Sequence, residues 1–266
     1  MNMHVDVSTA APEHTDRSVS SPGLLGRLGL LAYGVGSYAT GVAALVALIL
    51  VSLGVLSPTG GPVRIERPAL AALLDLGLLV AFALQHSVMA RAGFKERWTR
   101  VIHPAMERPT YVLATGLVLL PLLWVWQPVP AVVWSLDAPV ARGALRGLSV
   151  LGWAYLFLAS FAIDHLELFG LEQTWRGFRG QAPRTMPFRE RWMYRFDRHP
   201  IMTGLLVGLW ATPTMTAGHL LLVAGLTLYV VVGVHFEERA LRRQWGETYE
   251  AYRRRVPTIV PLPWSR

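Results

Sequence analysis

Cysteine is absent from all 266 residues, which excludes disulfide frameworks, thiolate metal sites, iron–sulfur clusters and cysteine nucleophiles together. Charge is scarce as well. Only 16% of the residues are charged and 53% are hydrophobic, whereas an ordinary soluble domain is about 25% charged. A chain this apolar needs lipid around it. In that setting the net charge of +8 reflects topology and anionic headgroups rather than nucleic acid. Membrane lipid is therefore an expected partner and nucleic acid is not.

The first 30 or so residues are polar and acid-containing, through Glu13, His14, Asp16, Arg17 and the Ser18 to Pro22 run. They lack the basic start and short apolar core of a signal peptide. Residues 1–30 are expected to form a disordered tail, and 31–266 a single transmembrane domain. About 20 residues are needed to cross the hydrocarbon of a bilayer. Tyr33 to Leu56, Ala69 to Ala90, Thr110 to Trp126 and Ala144 to Ile163 read as four spans. Ile201 to Ala211 and Gly218 to Phe236 form an apolar pair around Thr212-Pro213-Thr214, where the short first member marks a tight helical hairpin. The expected fold is all-α, a polytopic bundle of five to six transmembrane segments.

Basic residues orient that bundle. The loops from Arg91 to Pro109 and from Phe169 to Pro200, with the two chain ends, hold 21 of the 25 basic residues. The alternate loops hold only Arg64, Arg67, Arg142 and Arg146. The positive-inside rule then places both termini and both basic loops in the cytoplasm, as in a multi-pass protein of the cell inner membrane.

This topology gathers polar residues at one end. Gln85 and His86, then Asp164, His165 and Glu167, then His235, Glu237 and Glu238 fall at inward helix ends, where Arg198 and His199 join them. Ionisable groups in spans are costly, so a cluster drawn from four helices is a candidate site, although single members can be snorkelling side chains. Asp75 and His219, toward the other face, read as structural. Gly34, Gly36 and Ala39 match G-x-G-x-x-A but lie in an apolar span without a preceding strand, so helix packing explains them better than a nucleotide. Trp124, Trp126 and Trp134 flank the outer interface as an aromatic belt. No two histidines stand at a recognised metal-ligand spacing, and no metal is expected.

The C-terminal third is the most specific part of the chain. Arg198-His199-Pro200-Ile201-Met202-Thr203-Gly204 resembles the R-H-P-x-Y-x-G motif of the isoprenylcysteine carboxyl methyltransferase superfamily, with Met202 in place of the usual tyrosine. Glu237-Glu238-Arg239-Ala240-Leu241, then Gly246, Tyr249, Tyr252, Val256 and Pro257, resemble its second motif. The middle of the chain narrows the match. Gln85 to Arg91, Phe94-Lys95, Trp98-Thr99-Arg100, Glu107-Arg108 and Thr110 to Leu113, with Trp126, Pro128, Pro130 and Trp134, look like the membrane-bound methanethiol S-methyltransferases, the branch that overlaps the NnrU-like proteins. Pro109 stands where a serine is expected, at a helix start that tolerates proline.

The resemblance implies S-adenosyl-L-methionine-dependent methylation of methanethiol to dimethyl sulfide at the cytoplasmic membrane interface, where a lipid-soluble thiol meets a charged cosubstrate. It implies that Arg198, His199, Pro200, Gly204, Glu237 and Glu238 bind the cofactor, with Gln85 toward the small thiol substrate. A histidine is the natural base at neutral pH, His86 first and His165 second. Other readings stay open: a haem-binding NnrU-like isomerase or redox protein, a superfamily methyltransferase with another substrate, or a non-enzymatic membrane scaffold. Oligomeric state is not legible.

Overall fold

The computed structural model describes residues 23–62, 64–182, 184 and 188–259. The chain runs through α1 (Leu24–Ser52), α2 (Pro68–Ala90), α3 (Ala92–Trp98), α4 (Glu107–Val125), β1 (Val132–Ser135) and α5 (Pro139–Ile163). Then follow α6 (His165–Leu168), α7 (Leu171–Phe178), α8 (Pro200–Trp210), β2 (Thr214–Thr216), α9 (Ala217–Trp245) and α10 (Glu247–Arg255). Proline opens α2, α5 and α8 at their first helical position, where its fixed φ suits the helix and its missing N–H is no loss.

Five of the helices are long and apolar enough to cross a membrane, and α8 is a shorter apolar helix beside them. The protein is thus an all-α polytopic bundle, as expected. Leu73, Leu84, Leu117, Leu151 and Leu228 are all more than half exposed, as the lipid-facing surface of such a bundle requires. Inside, Leu48, Phe82, Leu122, Trp153, Leu209 and Val223 belong to one core.

Packing inside the bundle depends on small residues. A Cβ on Gly204 would stand 2.6 Å from the Gly152 carbonyl oxygen, and one on Gly152 would stand 2.5 Å from the Gly208 nitrogen, so α5 and α8 touch backbone to backbone. Gly170 has φ +85°, and its Cβ would stand 2.6 Å from the Pro109 nitrogen; only glycine fits this turn between α6 and α7. Pro109 itself lies in the first turn of α4 and is buried there.

Four details differ from the sequence reading. First, α1 begins at Leu24, inside the tail drawn to residue 30, because Leu24 to Leu31 already extends the apolar helix; residues 1–22 lie outside the described region. Second, a two-stranded antiparallel ribbon joins β1 to β2, pairing Trp134 with Met215 and Ser135 with Thr214. It caps the α8–α9 hairpin, and its strands are too short to register as a periodic pattern. Third, Trp126 is 2% exposed and belongs to the core rather than to an interfacial belt, whereas Trp124 is exposed. Fourth, Gly34 packs against Thr174 of α7, but a Cβ on Gly36 would meet nothing among the described residues, so of the two only Gly34 serves packing there.

Candidate functional site

The Arg-His-Pro segment enters α8 from a loop that runs beside the chain after α10. The Arg198 and His199 amides donate to the carbonyls of Pro257 and Thr258 at 3.0 and 3.2 Å. The Arg198 side chain, 2% exposed, completes this junction. Its Nε donates to Glu238 Oε1 at 2.8 Å, Nη1 donates to the carbonyls of Arg253 and Val256, and Nη2 donates to Thr258 Oγ1. A guanidinium has five N–H donors, and here protein acceptors engage all three nitrogens. Arg198 thus ties α8 to α9 and to the segment after α10.

Glu238 is the charge that answers it. Its Oε1 also meets His199 Nε2 at 3.3 Å, and its Oε2 pairs with Arg253 Nε at 3.4 Å. Glu237, one residue earlier, takes the other ring nitrogen, with His199 Nδ1 at 3.5 Å from Oε2. The His199 ring is therefore held between two carboxylates. Burial opposes its protonation, but the hydrogen bonds and charges of Glu237 and Glu238 outweigh burial and raise its pKa to about 9. It is an imidazolium at neutral pH. The two carboxylates differ in access: the Glu237 side chain is 51% exposed and that of Glu238 only 8%. Asp197 accepts from the His199 amide at 3.0 Å, and burial raises its own carboxyl above the usual range.

His86 occupies a second group near the same end of the bundle, where the Arg91 guanidinium at the end of α2 lies 4.4 Å above the Phe236 ring of α9. The His86 ring stacks on Phe82 and meets the Tyr229 ring edge-on. Its nitrogens are 3.0 Å from Thr115 Oγ1 and 2.6 Å from the Tyr111 hydroxyl. Thr115 donates its only proton to the Tyr111 carbonyl at 2.8 Å, so toward His86 it can only accept. The proton must therefore sit on Nδ1, and Nε2 accepts from the Tyr111 O–H.

His165 repeats this pattern in a third place. Ser160 donates to the Phe157 carbonyl and accepts from His165 Nδ1, while His165 Nε2 faces the Tyr38 hydroxyl at 3.0 Å. Phe161 stacks on the ring at 4.4 Å. Burial, the residue being only 6% exposed, lowers the His165 pKa against the charge of Asp164. None of its contacts reaches the His86 or His199 groups.

The remaining sequence candidates divide similarly. Gln85 donates to Met89 Sδ at 3.1 Å, while its Oε1 is buried and has no partner among the described residues. Pro200 opens α8, and Gly204 faces α5, which accounts for both residue types by packing. Met202 packs with Val230 and Ile259, so an apolar contact occupies the place of the motif tyrosine. Asp197, Arg253, Thr258, Thr115 and Tyr229 join the site without having been singled out. Asp197 adjoins Arg198-His199, Arg253 and Thr258 adjoin Tyr252 and Pro257 of the second motif, and Thr115 is one turn from Tyr111, so among these Tyr229 alone had no sequence signal pointing to it.

No family model matches the chain, and no solved structure matches it. Named relatives do. It is 48% identical over 193 residues to the methanethiol S-methyltransferase of Mycobacterium tuberculosis, covering 73% of this chain and 79% of that one. It is 42% identical over 247 residues to methanethiol S-methyltransferase 2 of Bradyrhizobium diazoefficiens, covering 91% and 94%. Human nurim is 31% identical over 194 residues, covering 66% and 71%.

Proposed function

Because the chain belongs to the methanethiol S-methyltransferase family, and is thus a thiol methyltransferase, we propose that it methylates methanethiol from S-adenosylmethionine at the cytoplasmic end of its bundle. The product is dimethyl sulfide. The observation that carries this reading is the 42% identity over 247 residues, a match long enough to contain both the His86 and the His199 groups.

The residues fit the cosubstrate. Glu237 presents a half-exposed carboxylate suited to ribose hydroxyls or to an ammonium group, while Glu238 is enclosed and fixes His199 and Arg198 behind it. S-adenosylmethionine supplies an electrophilic methyl group on a sulfonium centre. The protein's part is to align the thiol sulfur with that carbon, exclude water and accept one proton. As the new carbon–sulfur bond forms and the sulfonium bond breaks, the thiol proton passes to the Tyr111 oxygen and the Tyr111 proton passes to His86 Nε2. Thr115 holds the ring through Nδ1–H. His86 is the terminal base, and Tyr111 is the group facing the thiol. His165, enclosed among aromatic rings, supports the helix ends.

The test is to supply methanethiol and S-adenosylmethionine to the purified protein in detergent and measure dimethyl sulfide. Folded protein that forms none would overturn the reading.

A further inference from the structure

A cavity of about 360 Å³ lies at the end of the bundle away from the His199 group, among the ends of α1, α4 and α8 and the starts of α5 and α9. Its lining includes Ser52, Gln127, Arg142, Arg146, Thr216 and His219, and among the described residues no aspartate or glutamate. Neither arginine side chain has a hydrogen bond, ion pair or ring contact with any described residue. Their positions on α5 are informative. Arg142 and Arg146 are one turn apart and continue into Ser149 and Trp153 along one stripe of the helix. Ser149 donates to the Gly208 carbonyl at 2.7 Å and Trp153 to Ser52 Oγ at 3.2 Å, both buried. The arginines thus head the stripe that continues into the bundle, Arg142 half-buried and Arg146 exposed at its outer end beside the cavity.

Two cations on one stripe beside the cavity, with no acid among the described residues to answer them, conflict with the charge bias of the rest of the chain, where alternate loops are nearly free of basic residues. A single arginine near a helix end can snorkel to the interface, but two that line one cavity direct a set of N–H donors at whatever occupies it. We propose that this cavity binds a phosphate-class anion, held by the Arg142 and Arg146 guanidiniums. Guanidinium forks match phosphate oxygens in pairs. The anion comes either from the headgroup of an anionic phospholipid or from free phosphate in solution.

The experiment uses the full chain in neutral detergent. Phosphatidylglycerol binding is read by native mass spectrometry against phosphatidylcholine, and inorganic phosphate binding by calorimetry. The expected result is binding of one of the two probes, weakened about tenfold or more in Arg142→Gln/Arg146→Gln, as loss of charge-assisted hydrogen bonds implies. Arg64→Gln/Arg67→Gln, which removes the same charge from an exposed loop at that end, should leave binding unchanged. Preference for phosphatidylglycerol identifies the lipid source, and binding of phosphate alone identifies the solution source. Equal loss in both variant pairs would reduce the site to general surface charge and overturn it, as would binding of neither probe by the unaltered protein. Both readouts are independent of methyl transfer.

Discussion

His86 and His165 are held alike, each as the Nδ1–H tautomer with a tyrosine hydroxyl at Nε2, yet they are assigned different work because only the His86 group adjoins α9 near Glu237. Two consequences can be measured at the residue scale. Loss of a general base typically slows turnover about 10² to 10⁴-fold, so His86→Ala should do so. Tyr111→Phe should cause a comparable loss, and the double variant should add little, because the pair acts as a unit. Both losses should shrink as pH rises toward the thiol's own pKa. If Tyr111→Phe keeps full turnover, the relay is wrong; if both losses stay constant with pH, the pair positions substrate instead. His199 supplies a pH dependence of the other kind. Its pKa is raised to about 9 in the folded protein, so the stabilisation it contributes is complete below its ordinary value of about 6.5 and is lost as pH rises through 9. The melting temperature in detergent should fall over that window, and His199→Gln should flatten the fall. Equal slopes in the two proteins would mean that the ring is not held as an imidazolium. Sequence alone pointed to His86, His199, Glu237 and Glu238 as residue types at one end of the bundle. It could not show that Arg198 Nη1 donates to the carbonyls of Arg253 and Val256, at the end of α10 and just beyond it, since those acceptors are backbone atoms that carry no sequence signature.

At the scale of elements, the close contact of α5 with α8 decides how accurately the Arg-His-Pro segment is placed. Gly204 and Gly152 leave no room for a methyl group between the two backbones, whereas a Cβ on Gly147, elsewhere on α5, would meet nothing within 4 Å among the described residues. Forcing extra atoms into such a contact typically costs about 1 to 3 kcal/mol. Gly204→Ala should lower the melting temperature and weaken S-adenosylmethionine binding through displacement of His199, while Gly147→Ala should lower neither. Equal stability in the two variants would show that α8 slides without consequence and that Gly204 is not a packing residue. The helices themselves were largely legible: α2, α4, α5, α8 and α9 each begin or end close to the span read from hydropathy, because roughly 20 apolar residues and an opening proline are strong local signals. The ribbon of β1 and β2 was not, since three or four residues paired across about 80 positions of chain leave no local periodicity. Trp126 illustrates the same limit, because hydropathy marks an aromatic near an interface but cannot tell the inward face from the lipid-facing one.

For the whole molecule, the arrangement of charge and the arrangement of sites give one testable picture. The His86 and His199 groups stand at the end that carries the basic loops, and the arginine-lined cavity stands at the other. If the positive-inside rule orients the bundle, the proposed methyl-transfer site faces the cytoplasm, where a charged cosubstrate is available, and the cavity faces away from it. The absence of cysteine makes the orientation directly readable, since a single introduced cysteine is the only thiol in the chain. Asp137→Cys, in the exposed loop before α5, should react with a membrane-impermeant maleimide in intact cells. Glu96→Cys, on the exposed surface of α3 beside the basic loop, should react only after the membrane is permeabilised. The reverse pattern would place the Glu237 carboxylate on the side without the cosubstrate, and the proposed reaction could not then proceed from the cytoplasm however well the residues were arranged. Labelling of both positions in intact cells would indicate mixed insertion, and with it that 21 of 25 basic residues are not enough to fix the orientation of this bundle.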